Sequence, residues 1–428
     1  MLRTFLSQAE EVVHIAGHLK LYPLMSILNL LLVSFGLLVT FLPSMHLLEQ
    51  RERETVQYKG AVEFACVVFS KASAFAMYAP TIAVFVSKCK ALVSFARSTP
   101  LRMWLSMDRF DEHDFHVFCG KLICFEALVH TIFHFIRWGL QGKLMFIFST
   151  RTGSTGLLAF IILLLISVPM TLLRAKICYE VRKALHWMFI PFAICLAWHA
   201  PSDVSWIAHV LSFCIVIYCL DSFYVWTFRT EFVKTTHFTV LDCGVQVSMP
   251  VSSAMVDRTV LGGGGFAYLC IPWISKYEWH PFSIYDDPED PNKRNIFIYK
   301  AGNWSKALHN SLRVNTTCPV WLQGPFHSPF GSAVEYDNQI LVATGIGITP
   351  AICTINALKA DKKISLIWMT HEPELVEFYL ERHALSNDSF NIICYTGKRL
   401  NKRKLNPAIV ANAGNVKILE GRVDLHEL

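Results

Sequence analysis

The sequence is poor in charge. Only 17% of its 428 residues are Asp, Glu, Lys or Arg, whereas 53% are hydrophobic. A soluble globular protein carries about 25% charged residues, so this composition argues against a wholly soluble chain. The shortage of charge is concentrated before about residue 228, and the remainder has the composition of a soluble α/β protein. We therefore expect a membrane part followed by a soluble part.

Cysteine motifs are also lacking, although the chain contains thirteen cysteines. No two of them form a Cys-x-x-Cys pair, and there is no Cys-x-x-Cys-His motif. The first absence argues against a zinc site or a disulfide framework, and the second against covalently attached haem. We interpret the cysteines as small, buried hydrophobic residues.

What is present is a series of long hydrophobic runs. Each is near the ~20 residues that a membrane-spanning helix needs. Residues 1–18 lack a continuous apolar core, so no signal peptide is expected before the first span. The six predicted spans lie near 20–42, 61–86, 115–136, 155–173, 184–200 and 206–228.

The loops between the spans predict the orientation. Lysine and arginine are concentrated in loops 87–114 and 174–183, whereas loop 201–205 has neither. By the positive-inside rule, both termini of this multi-pass protein are expected in the cytosol, and we expect the plasma membrane rather than an internal one. These loops account for the net charge of +6, so the lipid bilayer is an expected partner and nucleic acid is not.

Four histidines lie within two of the predicted spans, His116 and His130 in one, His186 and His199 in another. A histidine in a bilayer is costly and points to function, here the ligation of two iron porphyrins. At ~1.5 Å per residue, the two histidines of one span are roughly 20 Å apart along its axis. Two haems at that spacing would bridge most of a hydrocarbon core ~30 Å thick. The alternative is that these histidines only pack between helices.

Helical geometry fits one of the two spans better than the other. At ~100° per residue, His116 and His130 are about 40° apart around their helix, but His134 lies on the same face, so geometry does not choose between His130 and His134. His186 and His199 would be roughly 140° apart on a straight helix.

Pro191 lies between His186 and His199 in the sequence. A proline can kink a helix or locally rewind it. How the angle between the two histidines is corrected does not follow from the sequence.

The second half alternates strand-like and helix-like segments. The strand at 339–343 runs into Thr-Gly-Ile-Gly-Ile-Thr-Pro at 344–350 and then into an apparent helix to Lys359. A strand, glycine turn and helix in this order point backbone N–H groups at a pyrophosphate, although this partial glycine motif is weak alone. The predicted strands are 237–247, 266–271, 296–300, 339–343 and 364–369.

These features, together with Trp-His-Pro-Phe-Ser-Ile at 279–284, resemble the NADPH oxidase and ferric reductase superfamily over nearly the whole chain. The histidine spacings, the His-Pro-Phe-Ser segment and the loop at 345–350 match the family's haem, flavin and nicotinamide-nucleotide motifs. Four further segments resemble the NADPH oxidase branch, at 70–73, 94–97, 276–279 and 302–304.

The resemblance implies a multi-domain membrane protein. A six-helix transmembrane haem bundle would occupy 1–228, and a ferredoxin-reductase-like module would follow. Within that module, an antiparallel β-barrel binding FAD would occupy 229–335, and an incomplete α/β domain binding NADPH or NADH would occupy 336–428.

The resemblance also implies roles for single residues. His116 and His186 would hold an inner b-type haem, and His130 and His199 an outer one, which selects His130 over His134. Lys71 and His134 match positions that flank the outer haem and assist oxygen. The implied FAD contacts are Trp279, His280, Pro281, Phe282, Ser283 and Lys300. The implied NAD(P)H contacts are Gly324, Pro325, Gly345, Ile346, Gly347, Thr349, Pro350 and His371.

Several positions depart from the family pattern. Tyr299 stands where the family often has an arginine that binds FAD, which is why Lys300 takes that role here, and His371 stands where NADPH-specific members often have arginine. Loop 201–205 is short. The segment 421–425 resembles the stretch before the family's last strand, and the final segment does not follow it, so slow turnover with NAD(P)H is expected.

The resemblance therefore implies electron transfer from cytosolic NAD(P)H through FAD and two b-type haems to molecular oxygen on the opposite side, giving superoxide. A short loop 201–205 would also admit a bulkier acceptor, so ferric-chelate reduction is the first alternative. A non-catalytic haem-binding membrane protein is the second. A regulatory or stabilising membrane subunit is a possible partner.

Overall fold

The computed structural model describes residues 58, 60–99, 112–199, 206–250, 264–312, 314–358, 360–382, 391–395, 405–411 and 416–420. The described part of the chain divides into two compact units. One contains the residues up to 93 and those from 112 to 222, and the other contains residues 94–99 and those from 223 onward. The predicted span 20–42, loop 201–205 and segment 421–425 lie outside the described residues.

The first half of the chain is helical, as its apolar runs predict. In chain order its helices are α1 (Ala61–Ala76), α2 (Tyr78–Val86), α3 (Lys90–Arg97), α4 (Glu112–Leu140), α5 (Phe146–Ser149), α6 (Arg151–Met170), α7 (Tyr179–His186), α8 (Phe189–His199) and α9 (Ile207–Phe228).

Four helical segments in the described part are long and apolar enough to cross a membrane, namely Ala61–Val86, His113–Leu140, Arg151–Met170 and Ile207–Phe228. They coincide with four of the predicted spans. The span predicted near 184–200 is instead divided between α7 and α8, with a turn at Trp187 and Met188.

A closed antiparallel barrel forms the first part of the second unit. Its strands are β1 (Thr230–Leu241), β2 (Gly244–Pro250), β3 (Gly265–Cys270), β4 (His280–Asp286), β5 (Lys293–Tyr299) and β6 (Thr316–His327), in the order β1-β2-β5-β4-β3-β6. The interior is filled by inward-facing side chains such as Phe238, Val247, Leu269 and Ile296. Helix α10 (Asn303–Ser311) adds Leu308 to that core.

The single strand predicted at 237–247 is wrong. The chain reverses there, because β1 ends at Leu241, β2 begins at Gly244, and these two residues pair across a two-residue turn. Apolar residues continue on both sides of the turn, so the pattern hides the reversal. Asp242 suits such a turn, and a Cβ at Gly244 would lie 2.5 Å from the carbonyl oxygen of Ile298 on β5.

An α/β layer completes the second unit. It contains β7 (Asn338–Thr344), α11 (Ile348–Leu358), β8 (Lys363–Thr370), α12 (Pro373–Arg382), β9 (Asn391–Tyr395), α13 (Pro407–Ala411) and β10 (Val416–Glu420). The strands form one parallel sheet in the order β10-β9-β8-β7. A shared hydrophobic core joins this sheet to the barrel, where Tyr285 of β4 packs near Tyr379 of α12.

The predicted fold class is confirmed. A barrel followed by a parallel α/β sheet is the ferredoxin-reductase-like arrangement, and apolar helices long enough to span a membrane precede it.

Candidate functional site

The four histidines of the first unit meet in two pairs. In the first pair, the ring centroids of His116 and His186 are 6.0 Å apart with planes at 78°. In the second pair, those of His130 and His199 are 6.0 Å apart at 72°. Two imidazoles bound to one metal by bonds of about 2 Å would hold their ring centroids about 6 Å apart. Both pairs therefore have the spacing of two axial ligands on a single iron.

Backbone carbonyls orient one histidine of each pair. Nδ1 of His130 lies 2.7 Å from the carbonyl oxygen of Ser70. Nδ1 of His116 lies 3.2 Å from the carbonyl oxygen of Val84 and 3.3 Å from the hydroxyl of Ser87. A carbonyl only accepts hydrogen bonds, so in each ring Nδ1 donates and Nε2 is left as the deprotonated nitrogen. This is the arrangement of metal-ligating histidines.

The break between α7 and α8 accounts for the angle that a straight helix leaves between His186 and His199. Three backbone N–H groups at the break, those of Trp187, Met188 and Ile190, donate to carbonyls three residues earlier. A 3₁₀ turn advances about 120° per residue instead of about 100°, so overwinding over this stretch recovers part of the 140° shortfall. The two histidines can then face the same side of the bundle.

Pro191 explains where the break lies. It occupies the first turn of α8, where a missing N–H leaves no helical hydrogen bond unmade. A helix continuous through Pro191 would lose the bond to the carbonyl of Trp187, and here the N–H of Ile190 donates to that carbonyl instead. Pro191 was expected to kink or rewind the helix, and in the structure it lies where a new helix begins.

The second pair lies at a cavity that is partly open to the outside. Its lining is mostly apolar and includes Phe135, Leu163, Phe192 and Leu196 beside the two histidines.

A glycine makes room for the second pair. A Cβ added to Gly156 on α6 would lie 2.4 Å from Cε1 of His199, closer than real Cβ contacts allow. The helix start is fixed by Thr150, whose hydroxyl accepts a hydrogen bond from the N–H of Gly153. Three observations are therefore compatible with two haems: the four histidines, the backbone carbonyls that hold two of their rings, and the space left by Gly156.

His134 also lies at this cavity, but Lys71 does not. The ring centroid of His134 is 4.6 Å from that of His130 and 5.1 Å from that of Trp138. Nδ1 of His134 is buried and has no hydrogen-bond partner among the residues that the structure describes. Lys71 is exposed on α1, directly after Ser70, and does not line the cavity. The oxygen-site role of Lys71 and His134 stays a prediction.

The His-Pro-Phe-Ser segment forms the start of β4. The His280 ring centroid is 4.2 Å from that of Trp304 at the start of α10, and the Phe282 ring stacks on Trp304 at 6.1 Å. Pro281 is exposed and Ser283 is half-buried. The Trp279 ring is 6.2 Å from that of Trp226. The segment therefore presents an aromatic surface at one end of the barrel, suited to a planar ring system.

The turn after β5 leads into the N-terminus of α10. The hydroxyl of Ser305 accepts hydrogen bonds from the N–H groups of Ala301 and Gly302, both at 3.0 Å. The N–H of Lys300 donates to the carbonyl of Cys243, which fixes the start of this turn. Helix N-termini of this kind suit anionic groups.

The glycine loop at 345–350 follows β7 as predicted. Gly345 has a φ of +51°, which a side chain would disfavour. Its carbonyl accepts a hydrogen bond from Nε1 of the fully buried Trp368 on β8, at 2.8 Å. Ile346 and Gly347 form a 3₁₀ turn, and the hydroxyl of Thr349 donates to the carbonyl of Ile346. Pro350 lies in the first turn of α11.

Gly324 and Pro325 lie on β6. A Cβ at Gly324 would come within 3.2 Å of the carbonyl oxygen of Phe266, so the two strands approach closely. The guanidinium of Arg229 donates to the carbonyl of Pro325 at 2.8 Å, and the N–H of Gly324 donates to the carbonyl of Arg229. Contacts with β3 and with Arg229, the residue before β1, therefore hold this segment in place.

Tyr299 and His371, the two departures from the family pattern, meet at one carboxylate. The hydroxyl of Tyr299 donates to Oε1 of Glu372 at 2.9 Å, and Nε2 of His371 lies 3.4 Å from the same oxygen. Burial and this hydrogen bond raise the pKa of Tyr299 to about 12, so it remains a donor at neutral pH. Sequence reasoning missed Glu372, although an acid directly after the second strand of a nucleotide-binding fold is a usable signal.

The chain is similar in sequence to known proteins. Residues 240–344 match the FAD-binding domain family. The chain is 22% identical over 389 residues to a superoxide-generating NADPH oxidase heavy chain of Dictyostelium discoideum, covering 75% of this chain and 54% of that protein. It is 24% identical over 276 residues to ferric reduction oxidase 2 of Arabidopsis thaliana, covering 62% and 37%.

These matches support the NADPH oxidase and ferric reductase superfamily. A further similar protein is the mitochondrial ferric reduction oxidase 8 of Arabidopsis thaliana, 26% identical over 315 residues, with 65% of this chain and 40% of that protein covered. The chain thus spans about half the length, or less, of these relatives.

The similarity to solved structures is weaker. The flavohemoglobin of Malassezia yamatoensis has a TM-score of 0.34 at 15% identity, covering 82% of this chain and 98% of that one. Phthalate dioxygenase reductase has a TM-score of 0.26 at 14% identity, covering 44% and 68%.

Proposed function

We propose that this chain is a transmembrane NAD(P)H oxidase. It takes electrons from cytosolic NAD(P)H through FAD and two b-type haems to molecular oxygen on the opposite side of the membrane, and the product is superoxide. The observation that carries the proposal is the meeting of His116 with His186 and of His130 with His199, each at 6.0 Å between ring centroids. Two such pairs along α4 give a relay rather than an isolated site.

The domain assignment is part of the proposal: 1–228 for the haems, 229–335 for FAD and 336–428 for the nucleotide. When bound, FAD accepts a two-electron hydride and the haems carry one electron each, so a flavin has to stand between nucleotide and haem. The chain would supply four histidines for the two irons, the aromatic start of β4 for the flavin ring, and backbone N–H groups after Gly345 for a pyrophosphate.

Oxygen is the preferred acceptor because of His134. Reduction of oxygen creates an anion, and a positive charge or hydrogen-bond donor beside it stabilises that anion more than neutral oxygen. His134 lies at the cavity of the second pair, and its buried Nδ1 has no partner in the described part of the chain. Lys71 would add charge near the same end of the bundle.

Ferric-chelate reduction is the second candidate. The cavity at the second pair is partly open, which would admit an acceptor larger than oxygen. Two of the relatives above are ferric reduction oxidases by name. A bulky chelate would receive its electron at the cavity mouth and would not need His134.

The deciding experiment compares the two acceptors on the purified, haem-loaded protein. Its haems are first reduced with dithionite and the excess reductant is removed. Reoxidation is then followed with oxygen alone, and with a ferric chelate under anaerobic conditions. An oxidase reoxidises rapidly with oxygen and forms superoxide that superoxide dismutase removes.

The ferric-chelate assay is run without oxygen because superoxide itself reduces ferric chelates. Rapid anaerobic reoxidation by the chelate, with slow reoxidation by oxygen, would replace the oxidase proposal by the ferric reductase one. A protein that carries no haem would contradict both.

A further inference from the structure

A negatively charged cluster lies at the carboxyl end of β8. Glu372 directly follows His371 after this strand, and its Oε1 takes both the hydrogen bond from Tyr299 and the contact with His371. About a quarter of the Glu372 side chain is exposed. The carboxylate is therefore held in one place and still accessible to a ligand.

The position of this carboxylate follows from the sheet. Strands β7 and β8 are parallel neighbours, with Thr344 opposite Met369, so the loop beginning at Gly345 and the segment at Glu372 emerge at the same edge. In a β-α-β nucleotide fold the glycine turn after the first strand binds the pyrophosphate. An acid after the second strand binds the ribose 2′-hydroxyl, whereas an arginine nearby accepts a 2′-phosphate.

The charges around Glu372 are unfavourable for a phosphate. Glu374 lies two residues further on, and its Oε2 accepts a hydrogen bond from the N–H of Cys243. Burial, together with the carboxylates of Glu374 and Glu372, raises the pKa of the Cys243 thiol. Within the described ranges, no lysine or arginine forms an ion pair with either carboxylate. A 2′-phosphate brought to this edge of the sheet would be repelled by the two carboxylates.

We propose that Glu372 sets the nucleotide specificity of this chain. Its carboxylate accepts a hydrogen bond from the 2′-hydroxyl of the adenosine ribose and repels a 2′-phosphate, so the chain uses NADH in preference to NADPH. Tyr299 and His371 act as positioning residues for that carboxylate. This inference rests on the proposed function, since it assumes that β7 and β8 carry the nucleotide site.

The test uses two half-nucleotides that differ only in the 2′ group. Binding of 5′-AMP and of 2′,5′-ADP to the full purified chain is measured by isothermal titration calorimetry, which needs no turnover. The parent protein should bind 5′-AMP more tightly by about tenfold or more. Glu372→Gln keeps the side-chain shape and removes the charge, so this ratio should fall several-fold towards one.

A matched control removes the same charge elsewhere. Glu381→Gln lies at the exposed far end of the same helix α12 and should leave the ratio unchanged. Equal or tighter binding of 2′,5′-ADP by the parent, or an unchanged ratio in Glu372→Gln, would overturn the inference and leave the nucleotide site intact. Failure of both half-nucleotides, and also of NADH and NADPH, to bind would instead contradict the proposed function.

Discussion

The two histidine pairs share one geometry but not one environment. Both have ring centroids 6.0 Å apart, and both contain a ring whose Nδ1 faces a backbone carbonyl. Beside the second pair lie a third histidine, His134, an apolar cavity and a glycine that makes room for His199. At the first pair, Nδ1 of His116 has a second contact, with the hydroxyl of Ser87.

This difference separates two tasks. A pair of iron ligands needs only the right distance between its two rings and a fixed imidazole tautomer. The pairs that contain His116 and His130 of α4 both meet these needs. Chemistry with an external acceptor needs space and a polar group beside the iron, and the second pair has both. Under the proposed function, the first pair is the relay and the second pair is the point where electrons leave the protein.

The largest expected effect is the loss of one haem. His116→Ala and His130→Ala each remove one axial ligand from a different pair, so each variant should retain one haem of two. Absorbance at the haem Soret band relative to protein measures this directly. His113→Ala, on the same helix outside both pairs, should keep both haems. If either ligand variant retained two low-spin haems, the assignment of its pair would be wrong.

A smaller effect is expected on oxygen chemistry. His134→Ala should keep both haems and slow the reoxidation of pre-reduced protein by oxygen by about 10²-fold, because a stabilising contact to the superoxide anion is lost. Lys71→Ala should act in the same direction but less, since Lys71 does not line the cavity. Stopped-flow absorbance reports the rate. Parent-like rates in both variants would favour the ferric reductase alternative.

Gly156→Ala should affect the second pair alone. The added Cβ forces the His199 ring to move, so the affinity for the second haem should fall by about tenfold. The first haem should be unaffected. Gly139→Ala is the matched control, because its Cβ would meet only Leu144 Cδ2 at 3.9 Å. Haem titration of the apoprotein separates the two sites, and equal weakening of both haems would argue against a local clash.

The smallest effect is expected for Ser87→Ala at the first pair. It removes one of two contacts of His116 Nδ1 and leaves the carbonyl of Val84. We expect a weakening of less than about tenfold in haem affinity, below the usual loss when an outer partner of a ligand is removed. A larger loss would show that the hydroxyl, rather than the carbonyl, fixes this ring.

The sequence predicts local features well here. Four spans, the helix after β7 and the strands β3, β5, β7 and β8 follow from periodicity and glycine turns, whereas β4, β6, β9 and β10 were not predicted. The hairpin within 237–247 is missed because its turn is only two residues long, Asp242 and Cys243, and interrupts no apolar pattern. The break before Pro191 is anticipated, but its overwinding depends on hydrogen bonds that the sequence does not specify.

The sequence is less informative about contacts between distant segments. That Gly156 faces His199, or that Tyr299, His371 and Glu372 meet, depends on how separate elements pack. Such contacts join residues tens of positions apart, and no local propensity encodes them. The candidate residues were therefore predictable singly and the histidine pairing followed from the resemblance, while the contacts of Gly156 and Glu372 required the structure.

The most direct test of the central claim is the haem content of the purified parent chain, by the pyridine haemochrome assay together with its reduced absorption spectrum. We predict about two b-type haems per chain, both low-spin, since each iron has two histidine ligands. A protein that folds in haem-replete cells but holds no haem, or holds high-spin haem with one axial ligand, would contradict the account.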